Sequence, residues 1–191
     1  VITRRSARAL FYRAFYRLPH AVRRRLVRLA VPKYIVGAVT LLYDTEAPEP
    51  GRLLLLRQPP GKAWSLPAGL LKHREEPVVG AARELYEESG VRLAPEQLRP
   101  ATPNAVVHLK GWVDCVFEAR VPAASTPLVV DGGEVYEAAW HRLDDLPRLT
   151  TATAWLLARY GIGPLAPPAP SGTVDAPEAT EPGRANPGPA A

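Results

Sequence analysis

A single cysteine in 191 residues leaves this chain no intramolecular disulfide to close. Cys115 sits in the alternating segment WVDCVFEAR (112–120), so it reads as a buried strand residue in a reducing compartment. No run approaches the ~18 consecutive apolar residues of a membrane span, and the N-terminus lacks the uninterrupted apolar core of a signal peptide; the expected location is the cytoplasm. No segment repeats. Lysine is scarce, 4 against 20 arginines, and with abundant alanine and proline this suggests a high-GC bacterial genome. Residues 1–33 contain no acid at all but ten basic residues. The remaining residues carry 14 basic against 19 acidic groups, so the formal charge of +5 belongs to the arm and not to the body.

What is present divides the chain into three. In 1–33, Ala7, Leu10, Phe11, Ala14, Phe15 and Leu18 follow helical spacing until Pro19, and Val22, Leu26 and Leu29 begin a second stripe. Two helices docked on the domain or on a second subunit would account for this; so would a basic amphipathic arm on an anionic membrane or RNA. Residues 34–162 read as one globular domain, in keeping with 47% hydrophobic content. YIVGAVTLLYD and RLLLLRQ are strands joined by the turn 44–51, and AWSLPAG is a short strand entering a tight loop. NAVVHLKGWVDCVFEARV gives two strands around Lys110-Gly111, and Glu134 to His141 another. Thr150 to Tyr160 is a terminal helix with Ala154, Leu157 and Ala158 as its apolar face. The proline-rich tail 163–191, nearly without large apolar side chains, is expected to be disordered.

The segment GLLKHREEPVVGAARELYEESGV (69–91) carries the chemistry. Pro77 suits a first helical position and Gly90 the left-handed residue just past the end, while Val78, Ala82 and Leu85 form an apolar stripe. Beside that stripe Glu84, Glu87 and Glu88 share one face. They are like charges at i, i+3 and i, i+4, which is unfavourable by a few tenths of a kcal/mol per pair. Glu84 has no basic residue three or four positions away. A solvated charged face is the ordinary reading of such a run; clustered carboxylates also suit a hard divalent cation.

The spacing from Gly69 through Glu75, Arg83-Glu84-Leu85 and Glu87-Glu88 to Gly90-Val91 resembles the Nudix box at every defined position. WSLPAG (64–69) is similar to the family's segment preceding the box, with Ala68 where glycine is usual, and EVYEAAWHRLDDL (134–146) to the segment that closes many of its domains. The resemblance covers roughly residues 34–160. It implies a Nudix-type α/β/α sandwich with a mixed β-sheet, and Mg²⁺- or Mn²⁺-dependent hydrolysis of a nucleoside diphosphate linked to another moiety. It implies metal ligation by Glu84, Glu87, Glu88 and the Gly69 carbonyl, and a structural ion pair between Glu75 and Arg83. Family members differ in their general base; Glu84 and Glu134 match the two alternatives.

Outside the box, Trp64 could stack a substrate ring and Arg57 could meet phosphate, though packing and ordinary surface roles compete with both. Glu137 reads as a solvent-facing strand residue, His73 as surface, and His108 as packing or solvent-facing. Position 105, where some subgroups carry proline, is alanine, and residues 106–109 lack the tyrosine of others, so the leaving group stays open. Two readings outside hydrolysis are a non-catalytic nucleotide sensor and a nucleic-acid-binding protein. The complete glutamate set counts against the first.

Overall fold

A computed structural model describes residues 4–108 and 111–167; the expectation for most of the proline-rich tail and the turn residue Lys110 lie outside them. A seven-stranded mixed sheet forms the middle layer. Strand β1 (Ile35–Asp44) is its axis: it runs parallel to β6 (Trp112–Val121) along its whole length. Its other edge meets β4 (Ala68–Leu70) at one end and β2 (Arg52–Arg57) at the other, both antiparallel. β2 also pairs with β3 (Trp64–Ser65) and β7 (Glu137–Arg142), and β5 (Arg99–His108) closes the far side against β6.

The unbroken leucine run of β2 follows from its central place. A strand covered on both faces needs apolar side chains at every position, and Leu53 to Leu56 are all fully buried. Alternation then sorts residues between two cores. Ala38, Leu42, Leu54, Phe117 and Ala119 meet the helix α3 (Pro77–Ser89) through Ala81, Ala82 and Leu85. Val39, Leu41, Leu53, Leu55 and Val116 meet α4 (Thr151–Ala158) through Leu156 and Leu157. This is an α/β sandwich with one helix on each face.

Four local expectations need correction. Residues 68–70 form a strand, not only a loop, because β1 offers its open edge there. Thr150 caps α4, accepting from the Thr153 amide, so the helix starts at Thr151; its buried face includes Leu156, whereas Ala158 is half-buried. Glu134 precedes β7 instead of lying on it. The Asp131 carboxylate accepts from the amides of Gly133, Glu134 and Val135, and those donors are therefore lost to a ladder. Finally, the arm forms α1 (Arg4–Arg17) and α2 (His20–Ala30); α2 buries no residue and Leu10, Phe11, Leu18, Val22, Leu26 and Leu29 are exposed, with Phe15 half-buried, so among the described residues the apolar stripes are not covered by the domain.

Candidate active site

Helix α3 positions the acidic groups. Its start is set by Pro77 and its end by Gly90, whose φ of 73° is the left-handed conformation that glycine adopts without cost. Ala81, Ala82 and Leu85 fix the helix's rotation against the sheet, and this turns Glu88 inward. Glu88 is only 8% exposed. Its Oε2 accepts from the Ala68 amide at 2.8 Å, and its Oε1 accepts from Gln58 Nε2 at 2.5 Å. Gln58 is itself oriented by Ser65, whose hydroxyl donates to its Oε1 at 3.0 Å.

Burial pushes the Glu88 carboxyl up to about 7; repulsion from Glu84 and Glu134 adds to the rise, and the two hydrogen bonds oppose it. Glu134, although distant in sequence, therefore belongs to the same acidic cluster. It is exposed, and among the described residues no hydrogen bond or ion pair engages its carboxylate. Glu84 is half-buried and pressed against the backbone of Gly69, where a Cβ would collide with its carboxylate. Any larger residue there would have to displace the end of the Glu84 side chain.

Arg83 ties the box together. Its guanidinium donates in a fork to Glu75 (2.8 and 2.9 Å), to the Leu70 carbonyl, and through Nη1 to Glu84 (2.5 Å) and Glu87 (2.8 Å). The Arg83 bonds hold the Glu75 carboxyl down to about 2, helped by the Lys72 amide. Thus the cation that offsets Glu84 is its immediate neighbour, which a search at three and four positions misses. Glu87 is exposed and also lies 3.7 Å from Lys72 Nζ.

In this conformation the carboxylates are shared among protein donors, and among the described residues no three acidic, His or Cys groups converge as a finished metal cage. The donor set still suits a hard cation. Glu84 and Glu134 both repel the Glu88 carboxylate, so a divalent ion would relieve repulsion that the fold otherwise bears.

Beside this cluster is a cavity of about 240 Å³, lined by Gln58, Ser65, Ala68, Asp114, Thr150 and Leu156 among others. Both hydrogen-bond partners of Glu88 thus also face the cavity. Asp114 belongs to no motif, yet a charged residue in mid-strand is a signal. It pairs with His108 Nε2 at 2.8 Å, so His108 is neither a packing nor a free surface residue. Gln58 and Ser65 left no signal in the sequence.

Trp64 and Arg57 are engaged within the protein. Trp64 meets His141 edge-on at 4.4 Å and packs on the second core, and Arg57 lies over its ring while donating to Glu137 (2.5 and 3.0 Å). Glu137 is accordingly an ion-pair residue. His73 is exposed and away from these contacts.

Comparison with known proteins gives a consistent picture. The profile of the NUDIX domain matches residues 33–160. A MutT-like protein of Streptomyces ambofaciens is 38% identical over 72 residues, 38% of this chain and 45% of that protein. A nucleoside triphosphate pyrophosphatase/Nudix hydrolase fusion protein of Bifidobacterium longum is 29% identical over 94 residues, 49% of this chain and 19% of that one. The chain thus spans less than half the length of either relative. Among solved structures, a MutT NUDIX hydrolase from Burkholderia pseudomallei superposes with a TM-score of 0.53 at 28% identity, covering 66% of this chain and 98% of its own. A C. elegans Ap4A hydrolase gives 0.52 at 21% identity, over 66% of this chain and 94% of its own, a likeness of fold.

Proposed function

This chain belongs to the Nudix family of pyrophosphohydrolases, and from that premise we propose that its 34–162 domain cleaves a diphosphate bond in a nucleoside diphosphate derivative by attack of water on phosphorus. The observation that carries the reading is Glu88, buried between Gln58 and Ala68 at the rim of a cavity, with Glu84 and Glu134 close enough to raise its pKa.

Glu84, Glu87 and Glu88, with the Gly69 carbonyl, are the groups that would hold Mg²⁺ or Mn²⁺. When bound, such an ion offsets the negative charge of the diphosphate and the charge arising on the leaving group. Glu134 is favoured over Glu84 as the base that takes the proton from water, because its carboxylate is unengaged while an Arg83 donor holds Glu84. Arg83 and Glu75 keep the loop from Leu71 to Glu76 against α3. Gln58 keeps Glu88 turned to the cluster. The cavity is below the ~300–1,000 Å³ of sites that enclose a whole drug-sized ligand, so it suits one part of the substrate, such as a nucleobase.

The test is product identification in ¹⁸O water. A panel of nucleoside triphosphates, nucleotide sugars, ADP-ribose and dinucleoside polyphosphates is incubated with Mg²⁺, and the products are read by mass spectrometry. Label on a phosphate of one product names the bond; turnover of simple monophosphate esters, or turnover that survives full chelation, contradicts the mechanism.

A further inference from the structure

Helices α1 and α2 present a surface that hydrolysis does not use. Leu10 is 70% exposed, Phe11 65% and Leu29 78%, and Leu18, Val22 and Leu26 are also open to solvent. They are not scattered. Leu10, Phe11 and Ala14 lie on one side of α1, Leu18 follows just past its end, and Val22, Leu26 and Leu29 lie on one side of α2, by helical spacing. A continuous apolar face of this kind on a water-soluble body marks a contact.

We propose that residues 4–30 are a peripheral anchor that lies flat on an anionic lipid surface. Length rules out a span: the helices are ~21 and ~16 Å long against a hydrocarbon core of ~30 Å, and no described helix is long and apolar enough to cross. Charge selects the lipid. Ten basic and no acidic residues in 1–33 attract a negative surface, whereas the rest of the chain, at a net of −5, is repelled by it. The attraction is thereby confined to the arm, and the body is held off the surface.

The side chains suit the boundary between headgroups and acyl chains. Arg17 and Arg25 fall at the edges of the apolar stripes, where their stems can cover apolar surface while their guanidinium groups meet phosphate. Phe11 and Phe15 stack 6.2 Å apart and widen the apolar stripe of α1, while Tyr12 and Tyr16, 6.4 Å apart, line its opposite flank. Arg23 lies over the Tyr16 ring at 5.4 Å, linking the second helix to the first. RNA would satisfy the arginines and stack on the aromatics, but it offers Leu10, Leu26 and Leu29 no apolar medium. A symmetric pair of arms would bring two all-basic segments together.

Sedimentation of the full chain with phosphatidylglycerol-containing vesicles, compared with pure phosphatidylcholine vesicles, tests the proposal. Binding should require the anionic lipid. Leu26→Gln/Leu29→Gln and Arg24→Gln/Arg25→Gln/Arg28→Gln should each weaken it by about tenfold or more, with the melting temperature unchanged because α2 buries no residue. Absence of vesicle binding overturns the proposal. So does binding that ignores the leucine substitutions while single-stranded RNA binding is lost with the arginines, which assigns the arm to RNA. A stable dimer dissolved by Leu26→Gln/Leu29→Gln, without vesicle binding, assigns it to a second copy.

Discussion

Glu88 shows how one residue joins stability to function. Its carboxyl titrates at about 7 in the fold and near ~4.5 when unfolded. A raised acid binds its proton more tightly in the folded state, so stability from this group is greatest below ~4.5 and declines as pH rises to about 7, by a total of ~3 kcal/mol. In chelator, Glu88→Gln should remove that part of the pH slope and raise the melting temperature at pH 8; an unaltered slope would place the titration elsewhere. A glutamine still accepts from Ala68, and the Gln58 amide can turn to accept from it. Turnover should nevertheless fall by more than the roughly 10–100-fold expected for an outer-shell change. At Gly69, alanine should cost ~1–3 kcal/mol and reduce activity, because its Cβ collides with Glu84. A Gly69→Ala enzyme with normal kcat would show that Glu84 can move without consequence.

At the scale of the element, α3 and the loop before it act as one unit through Arg83. Removing that side chain leaves Glu75, 10% exposed, without its main partner, so Arg83→Ala should destabilise by roughly 3 kcal/mol. The sign with pH follows. Glu75 is held down to about 2, so its stabilisation is present above its unfolded value near ~4.5 and is lost as pH falls through 2. Acid unfolding curves should therefore lose steepness between those values in Arg83→Ala; an unchanged acid limb would detach Glu75 from Arg83 energetically. Gly90→Ala tests the other end. A Cβ there would stand 2.9 Å from Val129 Cβ, at φ 73°, which predicts a loss of at least ~1–2 kcal/mol in melting, with kcat at low temperature retained.

For the whole molecule, the basic arm and the proposed catalytic body differ in what they bury. Both cores draw on residues from Ala38 to Ile162, and no described side chain of α1 or α2 belongs to either. Deleting residues 1–30 should leave the melting temperature and turnover of soluble substrate close to those of the full chain. A large drop would mean that the arm covers part of the body in solution. The proposed membrane contact then bears on where the enzyme meets its substrate and not on how the bond breaks.

Local chemistry explains which features are legible along the chain. Pro77 and Gly90 mark the helix ends, the buried leucine run marks β2, and the box spacing places Glu84, Glu87 and Glu88 on one face, since these depend on neighbours within a few residues. Contacts between distant segments depend on the register of strands far apart in the chain. Only the tertiary structure could bring Gln58 and Ala68 to Glu88, place Asp114 at the cavity, or engage Arg57 with Glu137 across β2 and β7. It also decided that Glu134 stands in a loop pinned by Asp131, because competition between a side-chain acceptor and a sheet ladder for the same amides is settled by which partner strand is within reach.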